Sequence, residues 1–151
     1  MVLTRLFAAV FNRLSVRWQR RVLRVGVPRF FVGVVGVCRD GERVLLARHR
    51  VGDPSWRLPG GFLQQDETID DCLRREFREE LGADVLVEGL LDVTAGYHYP
   101  RVEVALRCRL AGTLGTLSSE VVEARYFALA DLPPLRIDQR RLIERALAAR
   151  A

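Results

Sequence analysis

The stretch TIDDCLRREFREEL, residues 68–81, places charge where a helix normally places hydrocarbon. At about 100° per residue, with Glu76 taken as zero, Ile69, Cys72, Leu73 and Phe77 form one apolar stripe from about −40° to about 100°. Glu80 falls within that stripe at about 40°, and Glu79 lies beside it at about −60°. Asp70, Asp71, Arg74, Arg75 and Arg78 face away. A solvated helix would turn its acids outward. This one is therefore expected to lie on a sheet with its carboxylates at the rim of an interior. Thr68 followed by Asp71 marks its start as a capping-box-like pair, and Gly82 marks its end.

Glu76 and Glu80, at i and i+4, have Cβ atoms roughly 5–6 Å apart and repel when ionised. Partly removed from water, each needs a counter-charge or a raised pKa. Two counter-charges fit: arginine, with Arg75 and Arg78 close by in sequence, or a divalent cation. The helical wheel turns both arginines from the Glu76–Glu80 edge, which favours the cation and leaves Arg75 to brace a carboxylate from the preceding loop. An oxygen-only donor set with no histidine or cysteine beside it suits Mg²⁺ or Mn²⁺.

The rest of the chain supplies the sheet. Alternating or continuous apolar runs flank Asp40-Gly41, a hairpin signal. Strands are expected at 84–92, 101–110 and 122–128. A last helix is expected from about Asp138 with Leu142, Ile143, Ala146 and Leu147 inward. The order of elements gives an α/β fold, a mixed sheet with helices packed on it. Residues 1–28 form a separate segment ahead of a domain at 29–151. Apolar residues from Leu3 to Val25 recur every three or four positions, with Arg13, Arg17, Arg20 and Arg24 opposite, the pattern of an amphipathic basic helix ended by Pro28. Its apolar face could pack on the domain or on a second copy, making a homodimer, and its basic face could touch an anionic membrane through residues 1–25.

Charge is distributed unevenly. The net charge is +5, yet residues 1–29 hold seven arginines and no acid, and residues 30–151 carry −2. A slightly acidic body argues against nucleic acid as the main partner. Cys38, Cys72 and Cys108 show no paired spacing and read as reduced core residues of a cytoplasmic protein.

Residues 61–83, GFLQQDETIDDCLRREFREELGA, resemble a complete Nudix box: glycine, five residues, glutamate, seven residues, then R-E-U-x-E-E-x-G-U with U apolar. Gly61, Glu67, Arg75, Glu76, Glu79, Glu80 and Gly82 occupy the fixed positions. WRLPGG before the box and EVVEARYFALADLPPL after it resemble the family's flanks, so the resemblance spans about residues 30–135. It implies an α/β/α sandwich that hydrolyses a nucleoside diphosphate linked to another group, such as ADP-ribose, a nucleoside triphosphate or a dinucleoside polyphosphate. It implies metal ligation by Glu76, Glu79, Glu80 and the carbonyl of Gly60, with Glu120 as an acid from a later loop and Glu123 as its structural runner-up. Gly61, Glu67, Arg75 and Gly82 would support the loop and helix. Glu79, Glu80 and Glu120 are the catalytic candidates, and the choice of general base stays between Glu79 and Glu120. The same fold also serves as a catalytically silent nucleotide sensor, which usually loses box glutamates; here all are kept.

The segment TAGYHYPRVEV, residues 94–104, offers Tyr97, His98 and Tyr99 for stacking on a base and Arg101 for a phosphate, or simply covers a sheet edge. Pro100 and Tyr99 lie near hallmark positions of two different subfamilies, so the substrate is a nucleoside diphosphate derivative and no finer.

Overall fold

The structure is a computed structural model that describes residues 11–19, 21, 29–95 and 100–148. The chain divides into two compact units, residues 1–30 and 31–151.

In the first unit, residues 16–19 are helical and residues 12–14 form a turn and bend. The expected continuous helix is therefore interrupted. Asn12 and Ser15 explain the break, because short polar side chains compete for backbone hydrogen bonds. A new turn starts at Ser15, whose carbonyl accepts from the amides of Trp18 and Gln19 at 2.9 and 3.0 Å. The remaining residues of the expected amphipathic stripe lie outside the described residues, and with them most of the surface proposed for membrane or dimer contact. Among the described residues no helix is long and apolar enough to cross a membrane.

The second unit is built on a seven-stranded mixed sheet: β1 (Phe31–Asp40), β2 (Arg43–His49), β3 (Trp56–Arg57), β4 (Gly60–Phe62), β5 (Val85–Ala95), β6 (Arg101–Leu110) and β7 (Val121–Ala128). The main path runs β3-β2-β1-β6-β5, with β4 on β1 and β7 on β2. β1 and β6 are parallel, and the other pairs are antiparallel. The hairpin forms as expected, one position along. Asp40 is still paired, with Arg43, and the two loop residues are Gly41 and Glu42. Gly41 takes φ +60°, the conformation that a two-residue loop with glycine first requires.

Helix α1 (Ile69–Leu81) covers one face of the sheet and α2 (Ile137–Ala148) the other. Period-2 alternation sorts the strands: Val34, Cys38, Leu45, Ala47, Val104, Leu106 and Cys108 meet Cys72, Leu73, Phe77 and Leu81 of α1. Val35, Val37, Val44, Leu46 and Ala105 meet Leu142, Ile143 and Ala146 of α2. Central strands covered on both sides read as near-continuous apolar runs, which is what VGVVGVC in β1 shows. All three cysteines are free and buried. Gly36 lets α1 sit close, since a β-carbon there would lie 2.8 Å from Phe77 Cε2 and 3.0 Å from Cys108 Sγ.

Candidate active site

α1 begins at Thr68, whose hydroxyl accepts from the Asp71 amide at 3.1 Å, and ends at Gly82 in the left-handed conformation with φ 58°. Both caps hold the helix in register over β4. β4 itself is a glycine cradle. Gly60 has φ +145° and its backbone presses on β1, so that a β-carbon would sit 2.1 Å from the Val34 carbonyl oxygen. A β-carbon on Gly61 would sit 2.2 Å from Glu76 Oε1, so the Glu76 carboxyl group rests directly on that glycine.

The helix-wheel order is realised in depth. The side chains of Glu76 and Glu80 are 14% and 13% exposed, whereas Glu79 is 59% exposed. Glu80 Oε2 accepts from the Gly60 amide at 3.3 Å. Burial raises the Glu80 pKa to about 7 against that amide's stabilisation; the charges of Glu76 and Glu120 push the same way as burial, and Arg57 opposes them. Glu120 therefore belongs to this site electrostatically. Its backbone is fixed beside β2, where its carbonyl accepts from the Arg50 amide at 2.9 Å, and its side chain is exposed.

Arg75 reaches the preceding loop. Its Nε donates to Glu67 Oε1 at 2.8 Å and its Nη2 to the Phe62 carbonyl at 3.0 Å, while Glu67 also accepts from the Gln64 amide. The expectation that it turns from the glutamates does not hold. Arg75 Nη1 donates to Glu76 Oε1 at 2.7 Å and to Glu79 Oε2 at 3.0 Å. A wheel locates Cβ, and a long flexible side chain carries its guanidinium well away from that direction. Arg78 does face away, pairing with Asp84 at 2.6 Å. Glu123 is held by Arg48 at 3.1 Å and Arg125 at 3.3 Å, a structural placement.

The site also contains a residue that the sequence reading left out. His49, at the end of β2, places Nε2 at 3.6 Å from Glu80 Oε1 with its side chain 10% exposed. Burial and the Arg57 charge lower its pKa, and the Glu120 charge opposes them. The statement that no histidine stands near the glutamates is thus corrected. Leu45, Ala47 and His49 share the α1 face by period-2 alternation, which was the available signal. Arg57 sits directly before the LPGG turn and lines two clefts, one along Gly60 and Gly61 and the other at His49 and Glu120.

One cleft, of about 290 Å³, runs past Gly60, Gly61 and Phe62 and is lined by Arg57, Arg101 and Arg136. It brings Arg101 to the site, with its guanidinium paired to Glu103 and 5.9 Å from the Phe62 ring. The other cleft, of about 460 Å³, is lined by His49, Arg50, Arg57, Ser119 and Glu120. Tyr97 and Tyr99 lie outside the described residues. Among the described residues no three metal-binding side chains already converge; Arg75 holds Glu76 and Glu79, two of the three glutamates that α1 contributes to the site. The donor set nonetheless fits a divalent ion. Glu80 is a buried carboxylate to which no arginine among the described residues hydrogen-bonds, and Gly61 leaves room for the Glu76 carboxyl group beside it.

A sheet covered on both faces, with a glycine turn and a carboxylate-bearing helix end meeting between two arginine-lined clefts, defines an α/β protein with an acidic site placed to meet anions. The chain belongs to the Nudix family: the family model described as NUDIX domain matches residues 28–146. It is 31% identical over 124 residues to an NAD-capped RNA hydrolase of Vibrio atlanticus, covering 78% of this chain and 45% of that protein. It is 30% identical over 120 residues to an ADP-ribose pyrophosphatase of Methanocaldococcus jannaschii, covering 75% of this chain and 70% of the relative. The chain spans about half the length of most curated relatives it matches. A crystal structure of a NUDIX hydrolase from Nitrosomonas europaea shares the fold with a TM-score of 0.74 at 24% identity, covering 82% of this chain and 73% of that one.

Proposed function

We propose that this chain is a metal-dependent Nudix pyrophosphohydrolase that splits the diphosphate of a nucleoside diphosphate linked to a second group. The observation that carries this reading is Glu80: a carboxylate buried under the Gly60 amide, beside Glu76, with no arginine among the described residues hydrogen-bonded to it. Ionising such a group calls for a cation. Glu76, Glu79, Glu80, the Gly60 carbonyl and Glu120 would hold Mg²⁺ or Mn²⁺. When bound, the ion supplies charge neutralisation for the diphosphate and acidifies water at neutral pH.

The chain's own residues supply the rest. Arg75 and Glu67 tie the loop at residues 62–68 to α1 and so fix the glycine turn beneath the carboxylates. Arg57 stands between the two clefts, where a diphosphate spanning the glutamates would meet its guanidinium. Arg101 would serve the group on the Gly61–Phe62 side. Between the two candidate bases, Glu79 is engaged by Arg75, whereas among the described residues no arginine pairs with the Glu120 carboxylate. Glu120 is therefore assigned to accept the proton of the attacking water. The names of the relatives put ADP-ribose and NAD-type diphosphates first among substrates to try.

The test is turnover of a nucleotide panel with Mg²⁺ or Mn²⁺, with added phosphatase revealing ester products, for the intact chain and Glu80→Gln. Turnover of one class that collapses in the variant supports the proposal. Silence on every compound, with tight binding of one of them that Glu80→Gln leaves unchanged, would make the chain a nucleotide sensor.

A further inference from the structure

The glutamates are not the whole of the metal-facing chemistry at the end of β2. His49 Nε2 is buried and makes no hydrogen bond among the described residues, and the side chain is nine-tenths buried. Buried ring nitrogens are ordinarily paired, so an orphan at such a place calls for a partner that the protein alone does not provide. Its nearest carboxylate oxygen is Glu80 Oε1, at 3.6 Å. Two donors at that separation can bind one ion between them, since metal–nitrogen and metal–oxygen bonds are each roughly 2.0–2.2 Å.

The backbone explains why the ring points there. β2 alternates Leu45 and Ala47 onto the α1 face, and His49 continues that series. The ladder with β7 slips at this residue, with Arg48 opposite Glu123 and His49 opposite Val121. The extra residue, Val122, lies on β7, so β2 keeps its alternation through His49; bulges of this kind cluster near active sites. The His49 amide donates to the Ser55 carbonyl at 2.9 Å, which anchors the strand end. The His49 side chain also borders the cleft lined by Arg57 and Glu120.

We infer that His49 Nε2 is a ligand of the divalent ion held by Glu80, giving this site one nitrogen donor and a preference for Mn²⁺ over Mg²⁺. The inference rests on the metal-dependent reading above and goes past its oxygen-only ligand set. Mg²⁺ prefers oxygen, whereas imidazole suits transition metals, and its neutral form is the one that ligates. His49 would join Glu80 and the oxygen donors named above, and water or substrate oxygens would complete the shell.

The test is pulsed electron paramagnetic resonance of Mn²⁺ bound to the intact chain, grown with ordinary or ¹⁵N-labelled histidine, together with calorimetric Mn²⁺ and Mg²⁺ affinities. The expected result is a directly coordinated nitrogen coupling that changes with the isotope and is absent from His49→Gln. His49→Gln is further expected to weaken Mn²⁺ about tenfold while changing Mg²⁺ by less than about threefold. The isotope comparison needs no variant, so misfolding of His49→Gln would not blunt it. Tight Mn²⁺ binding without nitrogen coupling would overturn the inference and leave the metal-dependent reading standing. No Mn²⁺ binding by the intact chain would overturn both.

Discussion

Replacing Gly61 by alanine should separate the site's chemistry from the fold's stability. The new β-carbon would lie 2.2, 2.4 and 2.7 Å from Oε1, Cδ and Oε2 of Glu76 and would meet no other group as closely. Those atoms end a flexible side chain, so the carboxyl group can yield. To reach an ordinary contact it must retreat by about 1.2 Å, the difference between 2.2 and 3.4 Å. The retreat strains or breaks the 2.7 Å bond with Arg75, a partly exposed pair worth about 1 kcal/mol or less. A misplacement of about 1 Å in a positioning group can cost roughly 10²-fold in rate. Gly61→Ala should therefore lose about 1 kcal/mol in denaturant unfolding and about 100-fold in kcat/KM. Gly60→Ala is the contrasting control. Its β-carbon would meet the Val34 carbonyl oxygen at 2.1 Å and the Val35 Cα at 2.8 Å, from a φ of +145°. Backbone cannot step aside, so strain and overpacking together should cost roughly 2–6 kcal/mol. Gly61→Ala with unchanged turnover, or with a stability loss as large as that of Gly60→Ala, would refute this reasoning.

Three further outcomes follow from packing and charge. In the metal-free chain, the folded-state pKa of Glu80 is raised to about 7, so the folded state disfavours its ionised form. Stability should fall as pH rises from about 4.5 to about 7, by roughly 3 kcal/mol, and Glu80→Gln should flatten that part of the profile; an unchanged slope in the variant would contradict it. Gly36→Ala would force Phe77, Cys108 and Leu73 apart and should cost about 1–3 kcal/mol, read as a lower denaturant midpoint at constant m. Glu67→Gln should loosen the loop that Arg75 ties to α1, lowering the denaturant midpoint and lowering kcat more than it raises KM; equal losses in both would argue against a positioning role.

The elements that were legible in sequence are those governed by short-range rules. α1 lies where Thr68 and Gly82 cap it, and the depth of Glu76, Glu79 and Glu80 follows the 3.6-residue period. Strands at 85–95, 101–110 and 121–128 lie within a few residues of the apolar runs that announced them. The hairpin turn was displaced by one residue because glycine could occupy the first loop position as well as the second. What escaped depended on side-chain reach or on tertiary convergence. The Arg75 guanidinium bends back to Glu76 and Glu79, which an angular projection of Cβ does not convey. His49 is 31 residues before Glu80 in sequence and 3.6 Å from it in space, brought there by packing of β2 beneath α1. The N-terminal stripe kept its apolar spacing across Asn12–Ser15, yet spacing alone did not reveal that polar side chains would interrupt the helix.

The central claim is that Glu80 holds a divalent ion on which pyrophosphate hydrolysis depends. The most direct measurement is a Mn²⁺ titration of the intact chain and of Glu80→Gln, following bound metal and ADP-ribose turnover in the same samples. The account predicts that turnover rises in step with bound Mn²⁺ in the intact chain, and that Glu80→Gln loses both over the same concentration range. Turnover without metal, or Glu80→Gln binding Mn²⁺ and hydrolysing as the intact chain does, would contradict it.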